Sequence, residues 1–206
     1  MKDESIEVIV GLGNPGAEHL MDRHNAGFWF VDVLSRRYSS NFRQEKKFHG
    51  EVCRINIDGH GVWLLKPTTY MNDSGRAIRG LLDYQKIPAS RCLVVHDELD
   101  LPTGIIRFKK AGGHGGHNGL RSTIAHVGKD FIRLRVGVGH PGSKERVTNH
   151  VLGRASRDQE DLIMDAINDG ADAMPILLDK GLQRATHKLH NREKKSKESN
   201  DETKKD

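Results

Sequence analysis

Gly11 to Asp32 reads GLGNPGAEHLMDRHNAGFWFVD, and this stretch decides the fold. Before it stands a short apolar run, Ile6-Glu7-Val8-Ile9-Val10, which has the form of a buried strand. After it comes an apolar run with helical spacing, His24 to Tyr38, in which Phe28, Val31, Leu34 and Tyr38 form one stripe. Between them lie Gly11, Gly13, Asn14, Pro15 and Gly16, then His24-Asn25. A strand that ends in a sharp turn and hands polar side chains to a helix start is the ligand-binding end of an α/β sheet.

Outward from this unit, strands and helices alternate. Phe48 to Ile57 and Val62 to Leu65 flank Asp58-Gly59 and predict a hairpin. Lys66 to Asn72 leaves the strand as a loop, and Ser74 is placed to cap a helix reaching Gln85. Arg91 to His96 predicts a buried strand opening onto Asp97-Glu98-Leu99-Asp100. Gly104 to Lys110, a helix from Leu120 to Val127, and Ile132 to Gly139 follow, with the glycine-rich loop Ala111 to Gly119 between the first two. Ser156 to Gln159 has capping-box form ahead of a long last helix, which Pro175 is expected to kink or end. The expected fold is α/β, a single domain with a twisted mixed β-sheet and helices on both faces. The domain spans 1–190, and the charged segment 191–206, without an apolar residue from Arg192 onward, is expected to be disordered.

Composition narrows the function classes. In 206 residues, 35% are hydrophobic and 30% charged, and no apolar run nears the roughly 20 residues that span a bilayer. The N-terminus lacks signal-peptide form, and Cys53 and Cys92 are too few for a disulfide framework, so a reducing cytoplasm is the expected setting. A net charge of +5 suggests an anionic partner such as nucleic acid, although part of the excess lies in the tail.

Gly11 to Gly16 matches G-x-G-x-x-G by letter, but Pro15 has no N–H for a pyrophosphate and the helix starts well after Gly16. A turn presenting Asn14 is the better reading. His24 at a helix start suits a general base on water, and a helix N-terminus depresses an imidazole pKa. Asp97 can orient that imidazole and stabilise the imidazolium. Asn72 and Asn118, in loops, can donate to an oxyanion and accept from water. Taken one at a time, His24, Asn72 and Asn118 each read more readily as a cap, turn or surface residue, and Asp97 as part of a solvated acidic loop or a cation site. His114 and His117 lack a fixed helical spacing, and no zinc motif is present, so no metal is expected. Lys109, Lys110, Arg121, Arg133 and Arg135 border the glycine-rich loop and suit phosphate contacts.

Four motifs in order, GLGNPGAEHLMDRHNAGFWFVD, KPTTYMNDSGRAI, VVHDELDLPTGIIRFKKAGGHGGHNGLRS and FIRLRVGVGHPG, resemble the bacterial-type peptidyl-tRNA hydrolase family from about Ile6 to His190. The resemblance implies an esterase that frees tRNA from peptidyl-tRNA shed by ribosomes. It is expected to use no cofactor or metal and to be a monomer without membrane contact. His24 then matches the catalytic histidine, Asp97 its supporting aspartate, and Asn14 the residue selecting peptidyl over aminoacyl esters. Tyr70, Met71, Asn72 and Asn118 match substrate contacts, and Lys109 and Arg135 match a clamp for the tRNA 5′ end and acceptor stem. His19 stands where the family commonly has Tyr, near the tRNA terminus, and Arg107 where it often has Lys. Two other classes are an RNA-binding protein without hydrolysis, since the scaffold has relatives recruited to splicing, and a dinucleotide-dependent oxidoreductase.

Overall fold

The computed structural model describes residues 5–202, with side chains described through Asn191. Among the described residues seven strands form one sheet: β1 (Val8–Gly11), β2 (Arg43–Glu45), β3 (Gly50–Ile57), β4 (His60–Pro67), β5 (Cys92–Glu98), β6 (Ile106–Lys110) and β7 (Ile132–Gly137). Their order is β2-β3-β4-β1-β5-β7-β6. The central four run parallel, while β2, β3 and β6 pair antiparallel with their neighbours. The helices are α1 (Ala26–Arg37), α2 (Ser74–Gln85), α3 (Asn118–Val127), the short α4 (Val147–Val151) and α5 (Arg157–Glu202). The expected mixed sheet is therefore present, with helices on both faces.

β1 is the centre because both of its faces are apolar. Ile9 packs into one core with Phe30 and Leu34 of α1 and Ile163, Ile167 and Met174 of α5. Val8 and Val10 pack into the other, with Ile78 and Leu81 of α2 and Leu120 of α3. Alternating side chains on a strand point to opposite faces, so a run of apolar residues demands cover on both. Covering these faces is strongly stabilising, at roughly 1.5–3 kcal/mol per fully buried large apolar side chain. The connection leaving β1 passes through α1 on one face, and that leaving β4 passes through α2 on the other. A crevice consequently opens at the carboxyl ends of β1, β4 and β5, where the two connections part.

Details depart from the sequence reading. The buried stripe of α1 is centred on Phe30, Val31 and Leu34, and Phe28 is only half-buried. Edge strand β2 and helix α4 were not foreseen; each is too short and too polar to show a period. Asp97 lies within β5, paired with Val136, rather than past its end. Pro175 does not end α5. The helical conformation breaks instead at Gly181 (φ 79°, ψ 177°), a left-handed position that only glycine takes without strain. The backbone of α5 continues through Glu202, so the segment expected to be disordered from 191 begins as helix. No Gly or Pro follows Gly181. Residues 203–206 of that tail lie outside the described residues.

Candidate active site

The crevice is a cleft of about 930 Å³. Asn14, His24, Tyr70, Met71, Asn72, Asp97, Lys109, Asn118 and Arg135 all line it, although they come from seven separate segments. Of the residues anticipated from sequence, His19, Lys110 and Arg121 are not among its lining. His19 Nδ1 lies 2.7 Å from Asp22 Oδ2, beside the turn that carries His24.

Close backbone approach brings His24 to this place. A Cβ on Gly11 would stand 2.2 Å from the Gly27 carbonyl oxygen, and one on Gly27 would stand 2.4 Å from Leu12 N. Two facing glycines thus let the start of α1 press against the end of β1. The turn Arg23–Asn25 just before α1 is held from both sides. The Arg23 guanidinium donates to the carbonyls of His150, Gly153 and Arg154, at 3.0–3.1 Å, and to Gln159 Oε1 at 2.9 Å. Asn25 pairs with the Asn14 backbone, accepting from its N–H at 2.8 Å and donating to its carbonyl at 2.9 Å. Asn14 Oδ1 accepts from Met71 N–H at 2.8 Å. The Asn14 amide is thereby oriented, with its Nδ2 hydrogens left for the cleft. Tyr70, Asn72 and Asn118 are exposed at the cleft wall, whereas Met71 is buried.

Asp97, 3% exposed, is the electrostatic centre. Its Oδ1 lies 2.8 Å from His24 Nδ1 and 2.9 Å from His117 Nε2. Burial alone raises a carboxyl pKa, but the two imidazoles outweigh it and hold Asp97 well below the usual carboxylate range. An ionised carboxylate only accepts, so His24 donates from Nδ1 and its Nε2 is the unprotonated nitrogen. Burial also lowers the His24 pKa, yet Asp97, by charge and hydrogen bond, and then Asp22 overcome this, and the net direction is up. The helix-terminus depression anticipated from sequence is thus overridden by the carboxylate.

His117 was not among the anticipated site residues. It lies in a glycine-rich loop without helical or strand spacing, and nothing in the sequence signals its contact with Asp97. His96 stacks edge-on to it with ring centroids 5.1 Å apart. Burial, then His117 and Arg133, push the His96 pKa down to about 3, so that ring is neutral at any working pH. Arg133, fully buried, donates to the carbonyls of Gly113 and Gly112 at 2.5 Å each and so ties down the loop bearing His117 and Asn118.

His24, Asp97 and His117 have donor atoms within 4.8 Å of one another, close enough for a metal ion. In this arrangement His117 Nδ1 accepts from the backbone N–H groups of Gly119 and Leu120. Nε2 then carries the ring hydrogen and has no lone pair to offer.

A family model described as peptidyl-tRNA hydrolase matches residues 8–198. The chain is 50% identical over 190 residues to "Peptidyl-tRNA hydrolase" of Halorhodospira halophila, covering 92% of this chain and 98% of that protein. With the protein of the same name from Acinetobacter baylyi it shares 48% over 185 residues, 90% and 96% of the two chains. The crystal structure of peptidyl-tRNA hydrolase from Acinetobacter baumannii superposes with a TM-score of 0.87 at 47% identity, covering 89% of this chain and 94% of that one. The chain belongs to the peptidyl-tRNA hydrolase family.

Proposed function

We propose that the cleft hydrolyses the ester joining a peptide to the 3′ end of tRNA, with His24 as the general base. The observation that carries this reading is the 2.8 Å contact from His24 Nδ1 to the buried Asp97 carboxylate. It leaves Nε2 as the basic atom in a residue that lines the cleft. An ester needs little activation, so one positioned water, one base and a few amide donors suffice.

His24 Nε2 takes a proton from water as the hydroxide oxygen bonds to the ester carbonyl carbon. Asp97 stabilises the imidazolium that forms. The Asn14 amide hydrogens, with those of Asn72 and Asn118, donate to the carbonyl oxygen as it becomes negative, or to the peptide backbone. Collapse of the tetrahedral intermediate breaks the bond to the ribose oxygen, and His24 returns its proton there. Backbone contacts of this kind suit a substrate whose peptide can have any sequence.

Sheet electrostatics support a phosphate partner. On the β6–β7 pair, Arg107 stands opposite Arg135 and Lys109 opposite Arg133. Like charges directly opposed cost roughly 0.2–1 kcal/mol per pair, a cost an anionic ligand reverses. Arg133 is occupied by loop carbonyls, and Arg135 Nη1 lies 3.7 Å from Glu98 Oε2. Lys109 is exposed and lines the cleft, which suits it to the tRNA backbone together with Arg135. Exposed Tyr70 is placed to pack on the substrate's 3′ end. We read the enzyme as a cytoplasmic monomer without cofactor; among the described residues no helix is long and apolar enough to cross a membrane.

The test is release of peptide from N-acetylaminoacyl-tRNA beside unblocked aminoacyl-tRNA. Cleavage of the blocked ester alone is expected. A folded protein that binds tRNA and leaves the blocked ester intact contradicts the reading.

A further inference from the structure

Asp97 serves two imidazoles through one oxygen, and the two are not equivalent. His117 ends the glycine-rich loop and is the residue immediately before α3. Its Nδ1 accepts from Gly119 N–H at 3.1 Å and Leu120 N–H at 3.3 Å. An imidazole here does what Ser, Asp or Asn does at most helix starts, satisfying backbone donors that have no partner within the helix. An Nδ1 that accepts cannot carry a proton. The hydrogen must therefore sit on Nε2, which donates to Asp97 Oδ1 at 2.9 Å. Further constraint comes from the side chain being only 9% exposed, with the His24 ring 4.7 Å away centre to centre.

We propose that His117 is a positioning residue for hydrolysis: the start of α3 fixes it as the Nε2–H tautomer, so that it donates to Asp97 and divides that carboxylate's pull between itself and His24. This rests on the hydrolase reading and deepens it. His117 lines the same cleft, and its part in the reaction runs through Asp97. It fixes Asp97 and limits how strongly the carboxylate holds a proton on His24. Too strong a pull would keep the base protonated at working pH; with no pull, the imidazolium would be unsupported in the transition state.

The other groups facing His24 do not duplicate this. Asp22, next to the same turn, adds negative charge but bonds to His19 rather than to His24. From α4, His150 is turned away, its Nε2 donating to the Val138 carbonyl at 3.1 Å. On α1, Asp32 pairs with Lys66 at 2.9 Å. Neighbouring Arg23 is occupied by carbonyls and Gln159. On β5, His96 donates from Nδ1 to the Asp97 backbone carbonyl at 2.6 Å and faces His117.

Two measurements test the proposal, one of them independent of catalysis. Nitrogen-15 spectra of the wild-type imidazoles, followed from about pH 5 to 8, the range in which histidines ordinarily titrate, report tautomer and charge. His117 is expected to show the Nε2–H tautomer with an unprotonated, hydrogen-bonded Nδ1; an Nδ1–H tautomer overturns the proposal. The second is the pH profile of kcat/KM for His117→Asn. Asn is a favoured helix cap, so α3 keeps its acceptor, but its side chain is too short to reach Asp97 as well. With Asp97 serving His24 alone, the acidic limb should move up by about half a unit to one unit. A limb that stays in place or moves down overturns the proposal. Should the variant fail to fold, the wild-type spectra decide. Should the wild type prove unable to hydrolyse the ester, the functional reading falls on its own, and the spectra still report on His117.

Discussion

Replacing Asp97 by Asn tests the electrostatics of the site in a single step. The change keeps the shape of a side chain that is 3% exposed and removes the charge between two imidazoles. In the wild type, burial pulls the His24 pKa down and Asp97 more than restores it. Without the carboxylate, the effect of burial remains, opposed only by Asp22, so the His24 pKa should fall below its wild-type value. His24 is active only when deprotonated. The acidic limb of kcat/KM must then move to lower pH in Asp97→Asn, even as the maximal rate collapses. Loss of the group that supports the forming imidazolium should cost about 10²- to 10⁴-fold in kcat, or about 3–5 kcal/mol of transition-state stabilisation. The assay is release of peptide from N-acetylaminoacyl-tRNA across pH, with tRNA affinity measured in parallel. A limb that moves upward, or a rate within tenfold of wild type, would refute the assignment of Asp97 as the partner of a general base.

The same pair makes a stability prediction. A histidine whose folded pKa is raised contributes stability that is complete below its unfolded value of about 6.5 and is lost as pH rises through the folded value. The Tm gap between wild type and Asp97→Asn should therefore widen from about pH 8.5 to 5.5; a gap that narrows in that direction contradicts the sign. Lys109→Ala and Arg135→Ala should weaken tRNA binding and lower its salt slope by about one each, and unchanged slopes in a filter-binding titration would remove them from the clamp. Arg133→Lys should behave differently, because Arg133 spends its guanidinium on the Gly112 and Gly113 carbonyls. Loss of that bidentate grip should lower kcat by about tenfold while leaving the salt slope as it was; a reduced slope would make Arg133 a phosphate contact instead. Asn14→Asp turns the amide that faces the cleft into an acceptor and opposes the Met71 N–H geometry only weakly, so it should cost about 10²-fold in kcat with the fold intact by circular dichroism.

The alternation of strand and helix was legible because apolar period and turn chemistry agree along the chain. Ile6 to Val10 announces a central strand, and Asp58-Gly59 announces the hairpin that the structure builds with φ of 48° and 90° at those two residues. Asn14, His24, Asp97 and Asn118 were legible as candidates from their places at strand and helix ends, and the family resemblance joined them. Their convergence at one cleft depends on the glycine-to-glycine contact of Gly11 with Gly27, which no periodicity encodes. His117 was illegible for a related reason. Its loop takes positive φ at Gly112, Gly115 and Gly116, so sequence distance from Asp97 carries no information about spatial distance. The direction of the His24 shift was misjudged because a helix-terminus effect was weighed without the carboxylate 2.8 Å away. Pro175 does not end α5, because a long helix packed along α1 and the sheet tolerates one missing N–H, whereas Gly181 permits the break in helical conformation.

The central claim is that one unprotonated imidazole nitrogen, His24 Nε2, takes the proton from the attacking water. Single-turnover cleavage of N-acetylaminoacyl-tRNA by His24→Asn, at enzyme concentrations that saturate tRNA binding, addresses it most directly. The account predicts wild-type tRNA affinity with the cleavage rate reduced by about 10²- to 10⁴-fold and no longer dependent on pH through the histidine range. A variant that binds tRNA normally and cleaves at near wild-type rate, with the acidic limb still in place, would contradict it.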